Sequence, residues 1–226
     1  IDHSIMDAVG VIIKTPSGTV IHPGDWTLEK NKNGKPTLDY THLSKLTRPT
    51  ILMLESLGAT DIRESATTEE MQQNLLKLIS DAPGRVIIGT FSSQLERIGW
   101  IIDTCEKINK KVALMGYSMK NNVEIAKKLG YIKYGKNSVI KIEEIDHFPE
   151  KKIVILCTGS QGEDNAALSR IIDGNDKSVK LRKNDTVILS SSIIPGNERT
   201  IQRLKDNLYR QCDNVIHGKI MDIHVS

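Results

Sequence analysis

An apolar, strand-like run followed by an amphipathic, helix-like segment occurs four times between residues 85 and 211. The runs are continuously apolar, which is typical of strands covered on both faces. A parallel sheet with crossover helices covers its strands in this way. The sequence therefore predicts an α/β domain with a doubly wound, mainly parallel sheet. Its units are RVIIGTF with SSQLERIGWIIDTCEKIN, KVALMGY with SMKNNVEIAKKLG, KIVILCTG with SQGEDNAALSRIIDG, and TVILSSS with IPGNERTIQRLKDNLYRQ.

The segment that precedes this domain, up to about Ile51, has the pattern of antiparallel β structure. The apolar runs VGVIIKT and TVIHPG flank Pro16-Ser17-Gly18, a turn signal, so we expect a β-hairpin there. The short apolar run TILMLES is consistent with a buried strand. After it, TTEEMQQNLLKLISDA has apolar residues at helical spacing and predicts a helix.

Composition narrows the class of protein. A chain of 226 residues can bury one or two cores without a disulfide or a structural metal. No run approaches the roughly 20 apolar residues of a membrane span. The cysteines are three in number, Cys105, Cys157 and Cys212, and none forms a C-x-x-C pair. This pattern favours free, buried thiols and a cytoplasmic location. Both ends of the sequence lack the pattern of natural termini, so we expect a piece of a longer protein.

The strand-to-helix joints are the candidate ligand-binding segments. The carboxyl ends of parallel strands lie at one edge of a sheet, so we expect the joints to converge on one crevice. We expect each joint to feed a helix N-terminus, where free N–H groups and the helix dipole favour anions. Cations near those N-termini would add charge, and phosphate is the expected group. The joints are TFSSQ, GYSMKN, CTGSQGE and SSSIIPGNE, and the cations are Arg97, Lys120, Arg170 and Arg199.

Helix capping is the alternative explanation of these joints, because caps and tight turns also select Ser, Thr, Asn and Gly. For a single joint, capping is the favoured explanation. The four joints together favour a ligand, because Gly159-Ser160 and Ser191-Ser192 supply more glycine and hydroxyl than capping uses. The net charge of +3 is too small to indicate a polyanionic partner by itself. Neither G-x-x-x-x-G-K-[ST] nor G-x-G-x-x-G occurs, so the usual ATP or NAD site is not expected.

Two residues form a candidate metal-binding pair. The histidines are scattered and form no H-x-H, H-E-x-x-H or Cys/His cluster. His3 and Asp25 flank the predicted hairpin, which brings its ends together. A carboxylate can bridge two metal ions and a histidine can bind one, as two-metal phosphodiester cleavage requires. Two ligands do not complete a site, so a frayed end at His3 and a turn at Asp25 are the alternative.

Successive segments of the chain resemble ribonuclease J, of the metallo-β-lactamase/β-CASP superfamily. The run DHSIMDAVGVIIKTPSGTVIHPGDW resembles the part that carries the third and fourth metallo-β-lactamase motifs. CTGSQGE, SSSIIPGNE and the closing DIHVS resemble stretches of the β-CASP domain in the same order. The resemblance implies a β-hairpin piece of a metallo-β-lactamase αββα domain at residues 1–60, a β-CASP domain at 61–212 and a return toward the first domain at 213–226.

The same resemblance implies roles for individual residues. His3 matches a zinc-binding histidine and Asp25 the carboxylate shared by two zinc ions, so both are candidate catalytic residues. Glu55 matches the acidic residue that begins the β-CASP motifs. The residues matched to RNA or phosphate binding are Ser92, Ser93, Arg97, Gly159, Ser160, Gln161, Ser191, Ser192, Asn197, His224 and Ser226. The last two begin the family's H-x-S-G-H sequence, which holds the phosphate of the terminal nucleotide.

The implied activity is that of a zinc-dependent ribonuclease of RNA processing and decay, with two zinc ions in each intact active site. The implied substrate is single-stranded, 5′-monophosphorylated RNA, cut by 5′ to 3′ exonuclease and endonuclease action. We expect a homo-oligomer as the full-length protein and no membrane partner. The family's H-x-H-x-D-H cluster and a further metal histidine are not in this sequence. We therefore expect this chain alone to hold little or no zinc, to bind RNA weakly and to leave it uncut.

Two departures and two alternatives remain. ESLGAT stands where the family has an acidic-Ser-Thr-Asn stretch, and PGDW replaces TGDF beside Asp25.

The first alternative function is that of a degenerate, non-catalytic module that binds RNA or acts as a scaffold. The second alternative is a small-molecule phosphate-binding enzyme that uses the same α/β crevice. We also expect the His3–Asp25 hairpin to lie at the mouth of that crevice.

Overall fold

The computed structural model describes residues 1–27, 35–36, 38–46, 48–56, 59, 66–218 and 220–223. The chain consists of two compact units, a smaller one, Ile1–Thr67, and a larger one, Thr68–Val225. The domain boundaries that the resemblance implies, after residues 60 and 212, stay predictions.

The smaller unit contains a three-stranded sheet within its described residues. Strands β1 (Val11–Thr15) and β2 (Gly18–His22) pair antiparallel around a two-residue turn, which confirms the predicted hairpin. Strand β3 (Thr50–Leu52) pairs with β2 in the parallel direction, so the prediction of antiparallel structure up to about Ile51 is wrong at this strand. The prediction of a buried strand is also wrong, because Ile51 is 61% exposed. An apolar run does not determine whether a strand pairs in the parallel or the antiparallel direction, nor whether another element covers its faces.

The larger unit is a parallel sheet with helices on both faces. Its described strands are β4 (Val86–Gly89), β5 (Lys111–Met115), β6 (Val139–Ile140), β7 (Ile153–Cys157), β8 (Thr186–Leu189) and β9 (Asn214–His217). They pair in parallel in the order β6-β5-β7-β4-β8-β9, which confirms the predicted doubly wound sheet. The short edge strands β6 and β9 were missed by the sequence analysis.

Each α-helix in the described part of the chain was predicted from sequence periodicity. They are α1 (Thr68–Asp81), α2 (Leu95–Lys107), α3 (Tyr117–Lys128), α4 (Ala167–Ile172) and α5 (Glu198–Tyr209). Helix α4 is shorter than predicted, because Gly162 (φ +74°) and Asn165 (φ 62°) adopt left-handed conformations that interrupt a right-handed helix. None of the described helices is both long and apolar enough to cross a membrane.

Alternate residues of the strands face two hydrophobic cores. Val86 and Ile88 of β4 pack in the core that includes residues of α1, α2 and α3. Ile87 points to the opposite face and packs in the core that includes residues of α4 and α5. All three side chains are fully buried, and full burial stabilises a side chain of this size by roughly 1.5–3 kcal/mol. Burial on both faces explains why the strand sequences are continuously apolar.

The three cysteines are free and buried, as predicted. Burial raises the pKa of the Cys105 and Cys157 thiols to about 12 and that of Cys212 to about 11. We expect the native chain at pH 8 to resist iodoacetamide, because the thiolate fraction is on the order of one in a thousand or less. Unfolding in guanidinium should permit labelling of all three, which intact-mass spectrometry would count. Rapid labelling of the native chain would contradict this expectation.

Candidate functional site

The carboxyl ends of four neighbouring strands lie along one side of the larger sheet, here called the loop edge. The register aligns Gly89 of β4 with Cys157 of β7 and Leu189 of β8, and Met115 of β5 with Cys157. The four loops therefore start side by side, as predicted, at Thr90, Gly116, Thr158 and Ser190.

Only two of these loops lead promptly into a helix. Helix α3 begins directly after Gly116, and α2 begins at Leu95. The other two loops continue through residues 158–166 and 190–197 before α4 and α5 begin. The joint SSSIIPGNE ends at Asn197 and Glu198, where α5 begins, as predicted, whereas three residues separate CTGSQGE from α4, so the prediction is wrong for that joint. Most candidate phosphate-binding residues of these two joints lie within the loops, whereas Asn197 directly precedes the first turn of α5.

A buried polar network connects the β4 and β8 loops. Thr90 Oγ1 can donate to Gln94 Oε1 (2.9 Å) or to the Ser190 carbonyl oxygen (3.1 Å). Arg97 Nη1 donates to the same two acceptors at 2.8 and 3.1 Å. The Ser190 hydroxyl donates to the Ile223 carbonyl oxygen at 2.6 Å. The network therefore connects the β4 loop to the β8 loop, and it also connects the β8 loop to Ile223.

The cations expected at this edge differ in their surroundings. Arg97 is only 8% exposed, and burial lowers its pKa to about 10, so it stays charged at neutral pH beneath the loops. Arg170 forms an ion pair with Asp176 at 3.2 Å and donates a hydrogen bond to the Asn165 carbonyl oxygen at 2.6 Å. Lys120 is exposed. Arg97 therefore stabilises the loops from a buried position, whereas exposed cations are better placed to bind a ligand.

The predicted serines lie at the loop edge in different environments. The Ser92 carbonyl and hydroxyl oxygens lie 3.0 and 3.3 Å from Asn122 Nδ2 of α3, whereas Ser93 is half-buried. The Ser160 hydroxyl is buried and has no hydrogen-bond partner among the described residues. Ser191, Ser192 and Asn197 are half-buried. Gly159 and Gln161 are buried in the β7 loop.

A polar pocket of about 520 Å³ opens beside the β7 and β8 loops. Arg199 and Arg203, one turn apart on α5, are exposed, and no described acidic side chain lies within ion-pair distance of either. Arg203 was missed because it lies beyond the joint motif, although its spacing from Arg199 is a usable signal. The pocket is lined by Gln161, Gly162, Glu163, Asp164, Asn197, Arg199, Thr200 and Arg203.

Part of the N-terminus of α5 is occupied by a protein carboxylate. Glu198 accepts the Gly196 N–H at 3.1 and 3.0 Å through its two carboxylate oxygens. Hydrogen bonds from its own backbone N–H and from that of Gly196 lower the pKa of Glu198. The side chain of Asn197, the residue before α5, makes no capping hydrogen bond, so the capping alternative is not confirmed at this turn. The arginine side chains are the groups left to attract an anion.

The candidate metal ligands lie in the smaller unit, at the ends of the β1–β2 hairpin. The Thr27 N–H donates to the Asp2 carbonyl oxygen at 3.0 Å, so the two ends are held together, as predicted. His3 Nδ1 is buried without a hydrogen-bond partner in the described part of the chain, as expected for a nitrogen reserved for a ligand. Asp25 is exposed. Among described residues no three His, Cys, Asp or Glu side chains form a metal-binding group, so His3 and Asp25 fit part of a site.

Three predicted site residues remain, Glu55, His224 and Ser226. Glu55 is exposed shortly after β3 in the smaller unit. His224 and Ser226 lie outside the described residues. Their assigned roles, and the predicted place of the hairpin at the mouth of the crevice, stay predictions.

Comparison with known proteins supplies the family context. The family described as "Ribonuclease J, beta-CASP domain" matches residues 83–208. Ribonuclease J of Mycoplasma pneumoniae is 37% identical over 210 residues, which cover 92% of this chain and 37% of the relative. Ribonuclease J of Corynebacterium glutamicum is 35% identical over 229 residues, covering 100% and 32%. Ribonuclease J of Thermus thermophilus is 37% identical over 230 residues, covering 99% and 39%. The chain thus spans about a third to two fifths of the length of these curated relatives.

Proposed function

Because this chain belongs to the ribonuclease J family, with a β-CASP domain in its larger unit, we propose that it is the RNA-binding portion of a metal-dependent ribonuclease. The observation that carries the proposal is the loop edge, where four loops start side by side and the pocket of Arg199 and Arg203 opens beside two of them. Hydroxyl, guanidinium and loop N–H donors suit phosphate oxygens. A row of such groups suits the repeated phosphates of a nucleic-acid strand.

For the whole protein we propose hydrolysis of single-stranded RNA in RNA processing and decay. Its modes are 5′ to 3′ exonuclease and endonuclease action, with preference for a 5′-monophosphate. The proposed location is the cytoplasm and the proposed assembly is a homo-oligomer. Support for the reaction class comes from membership in the ribonuclease J family, and support for phosphate recognition comes from the loop edge.

The proposed cofactor is zinc, two ions in each intact active site. His3 and Asp25 would supply one nitrogen and one carboxylate, which are donors that zinc accepts. When bound, zinc supplies Lewis-acid polarisation of the phosphate and activation of a water. The larger unit contributes positioning, because holding the strand by its backbone lowers the entropy that must be lost before the phosphodiester reacts.

We expect the purified chain to bind single-stranded, 5′-monophosphorylated RNA weakly and to leave it uncut in zinc or manganese. Phosphate contacts at the loop edge provide the affinity, whereas His3 and Asp25 make only part of a metal site. Fluorescence anisotropy at several salt concentrations would measure affinity, with a slope of about −0.7 for each phosphate contact. Gel electrophoresis after incubation would detect cleavage.

Three outcomes would contradict parts of this proposal. Chelator-sensitive degradation by the purified chain would show that its metal site is complete. A shallow salt slope together with tight mononucleotide binding would favour a small-molecule enzyme. Absence of RNA binding even at low salt would refute the RNA-binding function itself.

A further inference from the structure

One glutamine side chain connects the β7 loop to the β8 loop. Gln161 is only 3% exposed. Its Nε2 donates to Ser191 Oγ at 3.1 Å and to the Ser192 carbonyl oxygen at 2.7 Å. Its Oε1 accepts the Ile194 N–H at 3.0 Å. The carboxamide therefore bonds to three residues of a loop that begins about 30 positions further along the chain.

The orientation of this carboxamide is determined by its partners. The Ser192 carbonyl can only accept a hydrogen bond and the Ile194 N–H can only donate one, so the amide nitrogen must face the first and the oxygen the second. Asn197 Nδ2 lies 3.4 Å from the same oxygen. Both amide hydrogens and both sides of the oxygen are thus used within the protein, which leaves Gln161 little capacity to bind RNA directly.

The backbone at Gln161 and Gly162 lies close to α5. The Gln161 N–H donates to Glu163 Oε2 at 3.1 Å. At the next residue, Gly162, an added Cβ would lie 2.7 Å from Thr200 Cγ2 of α5, and φ is +74°. The backbone at Gln161 is therefore confined by tight packing, so its side chain can impose a conformation on the loop that it reaches.

The bonded loop presents groups outward. Ser191 and Ser192 are half-buried, and Ile194 is 46% exposed. The Ser191 oxygen accepts a hydrogen from Gln161, so its own hydroxyl hydrogen is left to donate to another acceptor. A phosphate oxygen is an acceptor of the required kind.

We infer that Gln161 is a positioning residue for RNA binding. It orders the β8 loop so that the Ser191 hydroxyl meets a backbone phosphate, and it does not contact the RNA itself. The inference deepens the proposed function and rests on it for the identity of the ligand. It replaces the direct RNA-binding role that the family resemblance implied for Gln161.

The test compares Gln161→Met with Gln211→Met in the purified chain. Methionine approximates the length of glutamine and removes all of its side-chain hydrogen bonds. Gln211 is the matched control, because it follows the C-terminal end of α5, where its Nε2 donates to the carbonyl oxygens of Ile172 (2.9 Å) and Asn207 (3.3 Å). Gln161→Asn, which keeps the amide but is one methylene shorter, is the second variant should the methionine variant fail to fold.

Two readouts are needed, hydrogen exchange by NMR and RNA affinity by anisotropy with a 5′-monophosphorylated oligonucleotide. Gln161→Met should accelerate exchange of the Ile194 amide about tenfold, as loss of one hydrogen bond implies, while exchange of the β7 and β8 strand amides stays unchanged. RNA affinity should fall about tenfold in the same variant. Gln211→Met should change neither the Ile194 exchange rate nor the affinity.

Unchanged exchange of the Ile194 amide in the Gln161 variant would overturn the inference, as would faster exchange without loss of affinity. Equal loss of affinity in Gln211→Met would also overturn it, because general destabilisation would then explain the effect. Failure of the unsubstituted chain to bind RNA would refute the proposed function and the positioning role in RNA binding. In that case the exchange measurement still decides whether Gln161 orders the loop.

Discussion

Replacing Asp185 with alanine should lower the free energy of unfolding of the larger unit by about 3–5 kcal/mol, because it leaves a buried guanidinium without its partner of opposite charge. Arg85 donates to the two carboxylate oxygens of Asp185 at 2.9 and 2.6 Å. The two side chains are only 3% and 1% exposed. Asp185 also accepts the Arg182 N–H at 2.8 Å, so the substitution removes an anchor of the backbone as well. This is a large share of the roughly 5–15 kcal/mol that stabilises a typical protein.

Urea denaturation followed by circular dichroism would measure this effect as a lower midpoint with an unchanged slope. Lys107→Ala is the matched control, because it breaks an ion pair with Asp103 whose side chains are 72% and 49% exposed. We expect that control to change stability by about 0.5 kcal/mol or less. Similar losses in the two variants would contradict the importance of burial. Replacing Arg85 and Asp185 together with apolar residues should recover much of the loss.

Replacing Arg199 and Arg203 together with alanine should weaken binding of single-stranded RNA about 10- to 100-fold. The two guanidinium groups line the same pocket, and among the described residues no acidic side chain pairs with them. Each should contact phosphate, so the slope of log affinity against log salt should become shallower by about 1.4. Anisotropy titrations at several salt concentrations measure both quantities.

The matched control for this pair is Arg182→Ala with Lys183→Ala. It also removes two positive charges, but from the segment that precedes β8, at the opposite end of that strand, where Arg182 already pairs with Asp146 at 3.1 Å. Equal weakening by the control would show that RNA responds to net charge rather than to the α5 pocket. An unchanged salt slope in Arg199→Ala/Arg203→Ala would show that these residues do not contact phosphate.

The elements of the larger unit could be predicted because their signals are local. Val86, Ile87 and Ile88 are consecutive apolar residues, and burial on both faces of a parallel sheet is the usual reason for such a run. Met71, Leu75 and Ile79 recur at helical spacing and are buried on one side of α1. Parallel strands then require their loops to share one edge, so the location of the candidate site followed from the order of the elements alone.

Individual roles at that edge could not be predicted in the same way. Arg97 and Arg199 occupy similar places relative to their helices in sequence, yet one is buried in a polar network and the other is exposed at a pocket. Gln161 was assigned to RNA from its motif, whereas its hydrogen bonds are to Ser191, Ser192 and Ile194. Burial and partners depend on neighbouring strands, and a local pattern does not contain them.

By itself the sequence determined the parallel α/β sheet, its helices, the shared loop edge and the hairpin between His3 and Asp25, because periodicity and turn residues act over a few positions. The tertiary structure alone decided the order β7-β4-β8, which brings Arg85 to Asp185 across 100 residues and Gln161 to the β8 loop. Such contacts depend on which strands become neighbours. That choice is made by packing of the whole sheet and its two cores, for which no short segment carries a signal.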